Sequence, residues 1–398
     1  MAAVVTKTLL VAAPTMTSLT PPMPTESLNS PFKLAFLHPT YWPEVRRGSE
    51  RLIHDLGAGL AARGHRVTLF TSHTAAASRS HEDGIEVVRS RRPPPLRALR
   101  WYEDHLSGGP QALWHLRGAD FDLAHAFFPV DGWAAVQARR HFGGPPVVVS
   151  LHGIPIRQYL VERRYRLDML RTAVDGAAEL TVLSDAAALP TRRYLLRQPT
   201  VLPGGVRVAD FAVDQPRAEA PTIVCAAGIH EPRKRGDLLL EAFELLRRSV
   251  PDARLVLVRP RDPLLSAWET PQRPEGVSWV DGSDGESLAR TYAAASVSVL
   301  AAVDEAFGLV IVESLAAGTP VVAAHSGACP EIVADDSYGR LFNPDDPVDL
   351  ARALGEGLAL GRDPATVAAC RNRAADFDLE RTLDIAEQVY ARAVGPRA

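Results

Sequence analysis

Cysteines and long apolar runs are both scarce in this chain of 398 residues. The three cysteines, Cys225, Cys329 and Cys370, have neither the even count nor the spacing of a disulfide framework or a zinc site. No run approaches the roughly 18 consecutive apolar residues of a membrane-spanning helix. These absences argue against a disulfide-rich or membrane-spanning protein and favour the reducing cytoplasm as its setting. The chain is also too long for one ordinary core, which predicts two domains.

Lysine is rare as well, because arginine supplies 41 of the 44 basic residues. The three lysines are Lys7, Lys33 and Lys234. A lysine kept in so arginine-rich a chain predicts a ligand-directed role for Lys234, with a solvated surface lysine as the alternative.

Charge is divided unevenly between the two halves of the chain. Residues 1–205 are net positive and residues 206–398 net negative, which leaves −3 overall. The division suggests different partners for the two halves. A slightly acidic chain also argues against a nucleic-acid partner.

The first 31 residues are rich in threonine, proline, serine and alanine. Their apolar run, 9–13, is ended at once by Pro14, whereas a secretory signal needs a longer apolar core and a basic start. We therefore expect residues 1–31 to form a flexible tail.

After this tail, short apolar runs alternate with amphipathic stretches. Residues 49–63 have the period of a helix and lie between two apolar runs, as in a βαβ unit. Repetition of that unit predicts a doubly wound parallel sheet. The runs predicted as strands of the first half are 33–38, 66–71, 121–126, 147–152, 179–184 and 199–205.

A second series of the same kind fills the rest of the chain. Its predicted strands are 222–228, 253–258, 276–282, 296–302 and 320–325, and its predicted helices are near 236–249, 284–294 and 307–317. The sequence thus predicts an α/β fold with two Rossmann-like doubly wound domains facing a central cleft. Ligands of such sheets bind at the carboxyl ends of the strands, so we expect the active site in that cleft.

The domain boundaries follow from these two series. We expect the first Rossmann-like domain over residues 32–205 and a linker over 206–220. The second Rossmann-like domain is then expected over 221–375. Residues 376–398 are predicted to form a C-terminal helix that packs back toward the first domain.

The stretch EAFGLVIVESLAAGTPVVA, residues 305–323, follows one of the predicted strands. A helix is expected from Phe307, with Asp304 as its cap. The free backbone N–H groups of Phe307, Gly308 and Leu309 would then form a site for an anion such as a diphosphate. Gly308 would let the ligand approach the backbone closely.

Glu305 and Glu313 stand at the two ends of this apolar turn. Carboxylates accept hydrogen bonds from hydroxyl groups, so the pair suits the hydroxyls of a sugar and a ribose. A solvated helix face is the other interpretation of two acids eight positions apart.

Together with the downstream Pro330-Glu331-Ile332, the segment closely resembles the E-x(7)-E signature of the retaining GT-B glycosyltransferases, the family 4 or group 1 enzymes. The resemblance extends over most of the chain from Lys33 onward. It implies the GT-B fold and a nucleotide-diphospho-sugar as donor. It also implies a role for each residue of the segment: Glu305 contacts the sugar hydroxyls, Glu313 holds the ribose, and the amides of Phe307, Gly308 and Leu309 meet the sugar and phosphates.

Three further segments resemble those of the family, two of them with differences. His152, after the run VVVSL, matches a strand-end histidine that would lie near the reacting sugar, with a satisfied structural histidine as the alternative. In YWPEVRRGSER only Gly48 remains of two adjacent glycines beside the phosphates, and Arg47 replaces the first. Arg47 would narrow that loop or reach an anionic group itself. In LPGGVRVADF, Gly204 replaces an asparagine, and we expect it to adopt the left-handed backbone that asparagine favours there.

The phosphate clamp also departs from the family pattern. In GIHEPRKRG the family's arginine is replaced by Ile229, while its lysine is present as Lys234. Arg233 or Arg235 could supply the missing charge, because guanidinium suits phosphate.

The resemblance further implies retention of anomeric configuration without an enzymic nucleophile. Fixed positive charge and helix N–H groups would stabilise the departing phosphate, which would take the acceptor's proton. No metal or other cofactor is implied, since Lys234 and the neighbouring arginines can take the place of a cation. An Asp-x-Asp motif is missing, because Asp345 and Asp346 are adjacent.

The acceptor is expected on the positive first domain. Five arginines lie in RSRRPPPLRALRW, residues 89–101, and three more in residues 158–167. They indicate solvated charge, an acidic or phosphorylated acceptor, or peripheral contact with an anionic membrane holding a lipid acceptor. As the acceptor itself we expect a soluble hydroxylated small molecule or natural product.

Two other classes share this fold, the nucleotide-sugar 2-epimerases and the GT-B subunits that bind nucleotide-sugar without turnover. The intact Glu305, Glu313 and Lys234 argue against both. Base, sugar, acceptor and oligomeric state stay open.

Overall fold

The computed structural model describes residues 31–45, 47–92, 106, 108–157, 160, 164–259, 274–282 and 284–396. Nearly all of the predicted tail, residues 1–30, lies outside these residues. The described chain forms two domains, each built on its own mainly parallel sheet with helices on both sides.

The sheet of the first domain has eight strands in the order β3-β4-β2-β1-β5-β6-β7-β8. Neighbouring strands are parallel except β3 and β4, which form an antiparallel pair. The strands are β1 (Lys33–Leu37), β2 (Arg66–His73), β3 (Ser78–Glu82), β4 (Ile85–Arg91), β5 (Leu123–Ala126), β6 (Val147–Leu151), β7 (Glu179–Val182) and β8 (Thr200–Val201).

Helices cover both faces of this sheet, which explains why its central strands read as continuous apolar runs. The helices described are α1 (Gly48–Ala62), α2 (Gly108–Leu116), α3 (Pro129–Phe142), α4 (Arg164–Gly176) and α5 (Asp185–Leu195). Apolar side chains of α2, α3, α4 and α5 share one core with the sheet, and those of α1 lie in a second core on the opposite face.

The second domain has six strands, all paired in parallel, in the order β11-β10-β9-β12-β13-β14. They are β9 (Thr222–Cys225), β10 (Arg254–Val258), β11 (Val277–Val280), β12 (Val297–Leu300), β13 (Val321–Ala324) and β14 (Gly339–Phe342). The helices of this part are α6 (Val208–Phe211), α7 (Gly236–Arg247), α8 (Gly285–Ala294), α9 (Leu309–Ala316), α10 (Cys329–Ile332), α11 (Pro347–Leu360) and α12 (Pro364–Ala374).

The predicted α/β fold with two doubly wound domains is confirmed, and each predicted apolar run contains a strand. Three strands were missed. β3 has the sequence SRSHE and shows no apolar alternation, and β14 has only four residues. β4 was missed because its second half, Arg89-Ser90-Arg91, is polar.

The chain crosses between the two domains twice, and the two crossings lie side by side. Val206 N–H donates to the carbonyl of Phe377 at 3.0 Å, and Leu379 N–H donates to the carbonyl of Val206 at 3.0 Å. Gly205 lies so close to the second crossing that an added Cβ would be 2.7 Å from Leu379 Cα. A larger residue at position 205 would therefore separate the crossings.

After the second crossing, α13 (Leu379–Val394) packs against the first domain. Arg63 at the end of α1 donates to Glu380, Asp384 and Glu387 of α13. Inside the core, the hydroxyl of Tyr390 lies 2.8 Å from Nδ1 of His125, whose Nε2 lies 2.6 Å from Oγ of Ser150. The last helix is thus joined to the central strands of the first sheet by a buried polar chain.

This chain of hydrogen bonds predicts the effect of Tyr390→Phe. The substitution removes the partner of His125 Nδ1, and both residues are completely buried. An unpaired polar atom in such a place costs about 1–3 kcal/mol, so the free energy of unfolding should fall by that amount. Urea denaturation followed by circular dichroism measures it. Tyr194→Phe, in a half-buried tyrosine of the same domain, is the control, and an equal loss in both variants would contradict the prediction.

Candidate active site

The crevice between the domains is lined by the beginnings of α1 and α9. Gly48 at the start of α1 faces Leu309 at the start of α9, and a Cβ added to Gly48 would lie 3.6 Å from Leu309 Cδ1. Both helices follow the carboxyl ends of strands, β1 and β12. Their free N–H groups therefore meet at one place, which is suited to an anion.

The start of α9 differs from the sequence prediction. The helix begins at Leu309 with Gly308 as its cap, two residues later than expected, and Asp304 does not cap it. Gly308 has a φ of 99°, a conformation that residues with a side chain rarely adopt. The glycine is therefore required by the backbone as well as by the space that a ligand would need.

Gly204 is present for a different reason than predicted. Its backbone is not in the left-handed region, so that expectation was wrong. An added Cβ would instead lie 2.7 Å from Phe307 Cδ1 and 2.8 Å from Leu52 Cδ2. Gly204 thus allows the buried ring of Phe307 to pack against the first crossing, beside the ring of Phe377.

Glu305 is bound by two cations of its own domain. Lys234 Nζ donates to Glu305 Oε2 at 2.7 Å, and Arg233 Nη1 donates to the same oxygen at 3.0 Å. Burial alone would raise the pKa of Glu305, but the charges of Lys234 and Arg233 outweigh burial and hold it below its usual value. Arg235 lies elsewhere and pairs with Asp345 at 2.9 Å. Of the two arginines considered from the sequence, Arg233 is therefore the one beside Glu305.

The backbone around Glu305 is fixed by the loop after β13. Ala328 N–H donates to the carbonyl of Glu305 at 2.8 Å. Gly327 has a φ of 57°, and a Cβ there would lie 2.3 Å from the Glu305 carbonyl oxygen. Only glycine fits at position 327. The loop after β13 therefore holds the backbone of Glu305 in place at the crevice.

Glu313 is bound from both domains. It is 2% exposed, Oε2 accepts a hydrogen bond from the hydroxyl of Tyr292 at 3.1 Å, and Oε1 accepts one from Arg51 Nη1 at 2.5 Å. Burial and the neighbouring Glu313 raise the pKa of Tyr292 well above its usual value, which keeps the hydroxyl a donor. Arg51 belongs to α1, one turn after Gly48, and sequence reasoning gave it no role.

Glu331, in the Pro-Glu-Ile part of the motif, makes a second contact between the domains. Its two carboxylate oxygens accept hydrogen bonds from the backbone N–H groups of Asp185 and Ala186 at 3.1 and 2.6 Å. These N–H groups begin α5 of the first domain, so a side chain of the second domain satisfies them. The sequence segment Pro330-Glu331-Ile332 contributed to the family resemblance, but no role was predicted for Glu331 itself.

His152 lies on the opposite wall, just after β6. Burial, and to a smaller extent the charge of His38, lowers the pKa of His152 to about 3, so the imidazole is neutral. Within the described part of the chain its Nδ1 has no hydrogen-bond partner. His38 is also buried, and burial lowers its pKa. The structure thus places two neutral imidazoles at the carboxyl ends of β6 and β1.

Two of the arginines expected to hold an acceptor, Arg89 and Arg92, are paired within the first domain, whereas Arg91 and Arg164 are exposed. Arg89 is 7% exposed and donates to Trp42 O, Ser80 Oγ and Glu82. Arg92 pairs with Glu44. These two arginines therefore do not form a free basic surface, because the carboxylates of Glu82 and Glu44 pair with them. Arg97 and Arg100 lie outside the described residues.

Arg47 is more than half exposed at the start of α1 and pairs with Glu50 Oε1 at 3.2 Å. It neither closes the crevice nor contacts a residue of the second domain in the contacts described.

Among the described residues, no group of three or more histidine, cysteine or acidic side chains could hold a metal ion. Asp345 and Asp346, the adjacent acids, have structural partners: Asp345 pairs with Arg235, and Asp346 caps α11. No helix in the described ranges is both long enough and apolar enough to span a membrane.

Two facing Rossmann-like domains, with acids and cations at the carboxyl ends of their strands, define a glycosyltransferase of the GT-B class. Residues 220–359 match the family described as Glycosyl transferases group 1, and residues 46–210 match Glycosyltransferase Family 4. The chain belongs to these glycosyltransferases, the group 1 or family 4 enzymes.

Relatives of known name support the same class. A D-inositol 3-phosphate glycosyltransferase of Nocardiopsis dassonvillei is 30% identical over 319 residues, which cover 70% of this chain and 72% of the relative. A phosphatidyl-myo-inositol mannosyltransferase of Propionibacterium freudenreichii is 25% identical over 331 residues, 79% of this chain and 84% of the relative.

Solved structures show the same fold at lower identity. Sucrose-phosphate synthase from Thermosynechococcus elongatus has a TM-score of 0.72 at 22% identity, covering 91% of this chain and 98% of its own. The Anabaena protein HepE, solved with UDP and glucose, has a TM-score of 0.68 at 19% identity, and the match covers 90% of this chain and 99% of HepE.

Proposed function

We propose that this protein is a retaining glycosyltransferase that moves a sugar from a nucleotide-diphospho-sugar to a hydroxyl of a soluble small-molecule acceptor. The observation that carries the proposal is the arrangement at Glu305. An ionised carboxylate, Lys234 and Arg233 lie together beside the start of α9.

The proposed donor site follows from the charges of these groups. The diphosphate binds where the N–H groups of α9 and the side chains of Lys234 and Arg233 supply positive charge. Glu305, kept ionised, accepts hydrogen bonds from the sugar hydroxyls, and Glu313 accepts those of the ribose. Gly48 allows the diphosphate to approach the backbone of α1.

The proposed reaction exchanges one bond at the anomeric carbon for another on the same face. The bond to the phosphate oxygen breaks, the bond to the acceptor oxygen forms, and the acceptor's proton passes to the departing phosphate. Negative charge that develops on the phosphate is stabilised by Lys234 and Arg233, so no metal ion is required. His152, a neutral imidazole on the opposite wall, is proposed to contact the reacting sugar, as the family resemblance implies.

The names of the relatives suggest an acceptor that contains an inositol phosphate, either free or as part of a lipid. We favour the free form, because Arg89 and Arg92 are paired within the first domain and do not provide a basic surface for a membrane. A lipid acceptor at a membrane surface is the second candidate, supported by the mannosyltransferase relative.

Glu313→Ala tests the ribose role. Loss of the buried charged acceptor should weaken binding of the nucleoside diphosphate by about 1.5–3 kcal/mol. Isothermal titration with UDP, GDP, ADP and TDP identifies the base and then measures the loss. Glu286→Ala, in an exposed acid of α8, is the matched control. Unchanged affinity of Glu313→Ala for the nucleoside diphosphate would show that Glu313 does not bind the ribose.

Lys234→Ala tests the phosphate role. Removing a cation that stabilises the leaving group should lower turnover by about a hundredfold. The melting temperature should change little, since Lys234 lies at the crevice and not in the core. Arg235→Ala is the control, because Arg235 pairs with the exposed Asp345 and its loss should leave turnover within about threefold. Turnover of Lys234→Ala within the same range would assign the phosphate to Arg233 alone.

The acceptor is tested by comparing free inositol phosphate with vesicles that contain phosphatidylinositol. We expect transfer to the free acceptor without vesicles, and no sedimentation with anionic vesicles at low salt. Transfer only in the presence of vesicles would establish the lipid acceptor instead. Adsorption that disappears as the screening length falls from roughly 30 Å at 0.01 M to about 8 Å at 0.15 M salt would show that charge is responsible.

A further inference from the structure

Arg51 reaches across the crevice from the first domain to an acid of the second. Its Nη1 donates to Glu313 Oε1 at 2.5 Å, and its Nε lies 3.5 Å from Asp55 Oδ2 on the same helix. The guanidinium also lies 5.7 Å from the centre of the Phe211 ring. The side chain is thus fixed by three neighbours, although about a third of it is exposed.

We propose that Arg51 is a positioning residue for the ribose of the donor: it neutralises and orients Glu313, so that the first domain completes a ribose site located in the second. The inference rests on the proposed function, in which Glu313 binds the ribose.

The hydrogen-bonding capacity of Glu313 is consistent with this role. An ionised carboxylate offers about four lone-pair positions. Arg51 uses one on Oε1, and Tyr292 uses one on Oε2. One position on each oxygen is left, which matches the two adjacent hydroxyls of a ribose. Held by partners on both oxygens, the carboxylate cannot rotate away from the ligand.

Electrostatics gives a second reason for a cation at this position. Glu313 is almost completely buried, and a buried charge without a partner is unfavourable. The charge of Glu313 raises the pKa of Arg51, although burial opposes this, so the guanidinium stays charged.

A ribose site made by both domains couples binding to the closing of the crevice. The ligand binds more tightly to the arrangement in which Arg51 touches Glu313, so its binding increases the population of that arrangement. Opening of the crevice would withdraw Arg51 and weaken the site, which favours release.

The test is a double-mutant cycle on the nucleoside diphosphate that the wild type binds best. Isothermal titration is run on the wild type, Arg51→Met, Glu313→Gln and the double variant. We expect Arg51→Met to weaken binding by about tenfold or more, and to have no further effect in the presence of Glu313→Gln. Binding of inorganic pyrophosphate, which has no ribose, should be the same in Arg51→Met and the wild type.

Arg207→Met is the matched control, because Arg207 lies 4.0 Å from Asp55 at the same interface and makes no described contact with Glu313. It should bind like the wild type. If Arg51→Met does not fold, Arg51→Lys replaces it, since lysine keeps the charge but loses the forked geometry; weaker nucleotide binding with unchanged pyrophosphate binding is again expected.

Equal or tighter nucleotide binding by the substituted protein would overturn the inference, because Arg51 would then have no role or would compete with the ribose. An equal loss of pyrophosphate affinity would also overturn it, since Arg51 would contact the phosphates. A wild type that binds no nucleoside diphosphate would refute the proposed function itself, which separates the two failures.

Discussion

The structure depends on the pairing of two nearly buried carboxylates with cations at the crevice. Glu305 is held by Lys234 and Arg233 of its own domain, and Glu313 by Arg51 of the other. An acid buried without such a partner would be neutral or would destabilise the fold. Because both acids are paired, the second domain can place ionised groups at the edge of an apolar core, where hydrogen bonds to a ligand are strong.

Contacts between the domains include several hydrogen bonds at the edge of the crevice. α13 is joined to the first sheet by apolar packing and by buried hydrogen bonds through Tyr390. Across the crevice, polar contacts of Arg51 with Glu313 and of Glu331 with the beginning of α5 lie beside apolar packing of Leu52, Ile154 and Leu183 on the second core. Polar contacts at an opening can be exchanged for water or ligand at little cost, whereas apolar packing cannot.

Local patterns in the sequence were enough to predict much of the fold and part of the site. Apolar runs predicted the buried strands, and the E-x(7)-E segment predicted one helix with Glu305 before it and Glu313 within it. The features that were not predicted depend on contacts between residues that are distant in the sequence. Arg51 and Glu313 are separated by 262 residues, so no local pattern could join them. The space around Gly204 and the burial of Arg89 are also set by neighbours that only the fold supplies.

The family's arginine is replaced by Ile229 in this chain, and under the proposed function Arg233 supplies the charge that the replacement removes. Ile229 is buried in the core of the second domain, and its carbonyl lies so close to Gly236 that a Cβ there would be 2.4 Å away. Position 229 thus serves packing at the start of α7. Four residues later, the short 3₁₀ turn 232–234 directs Arg233 and Lys234 at the same oxygen of Glu305. Under the proposed function, two adjacent side chains therefore supply the positive charge that the family draws from two separate positions.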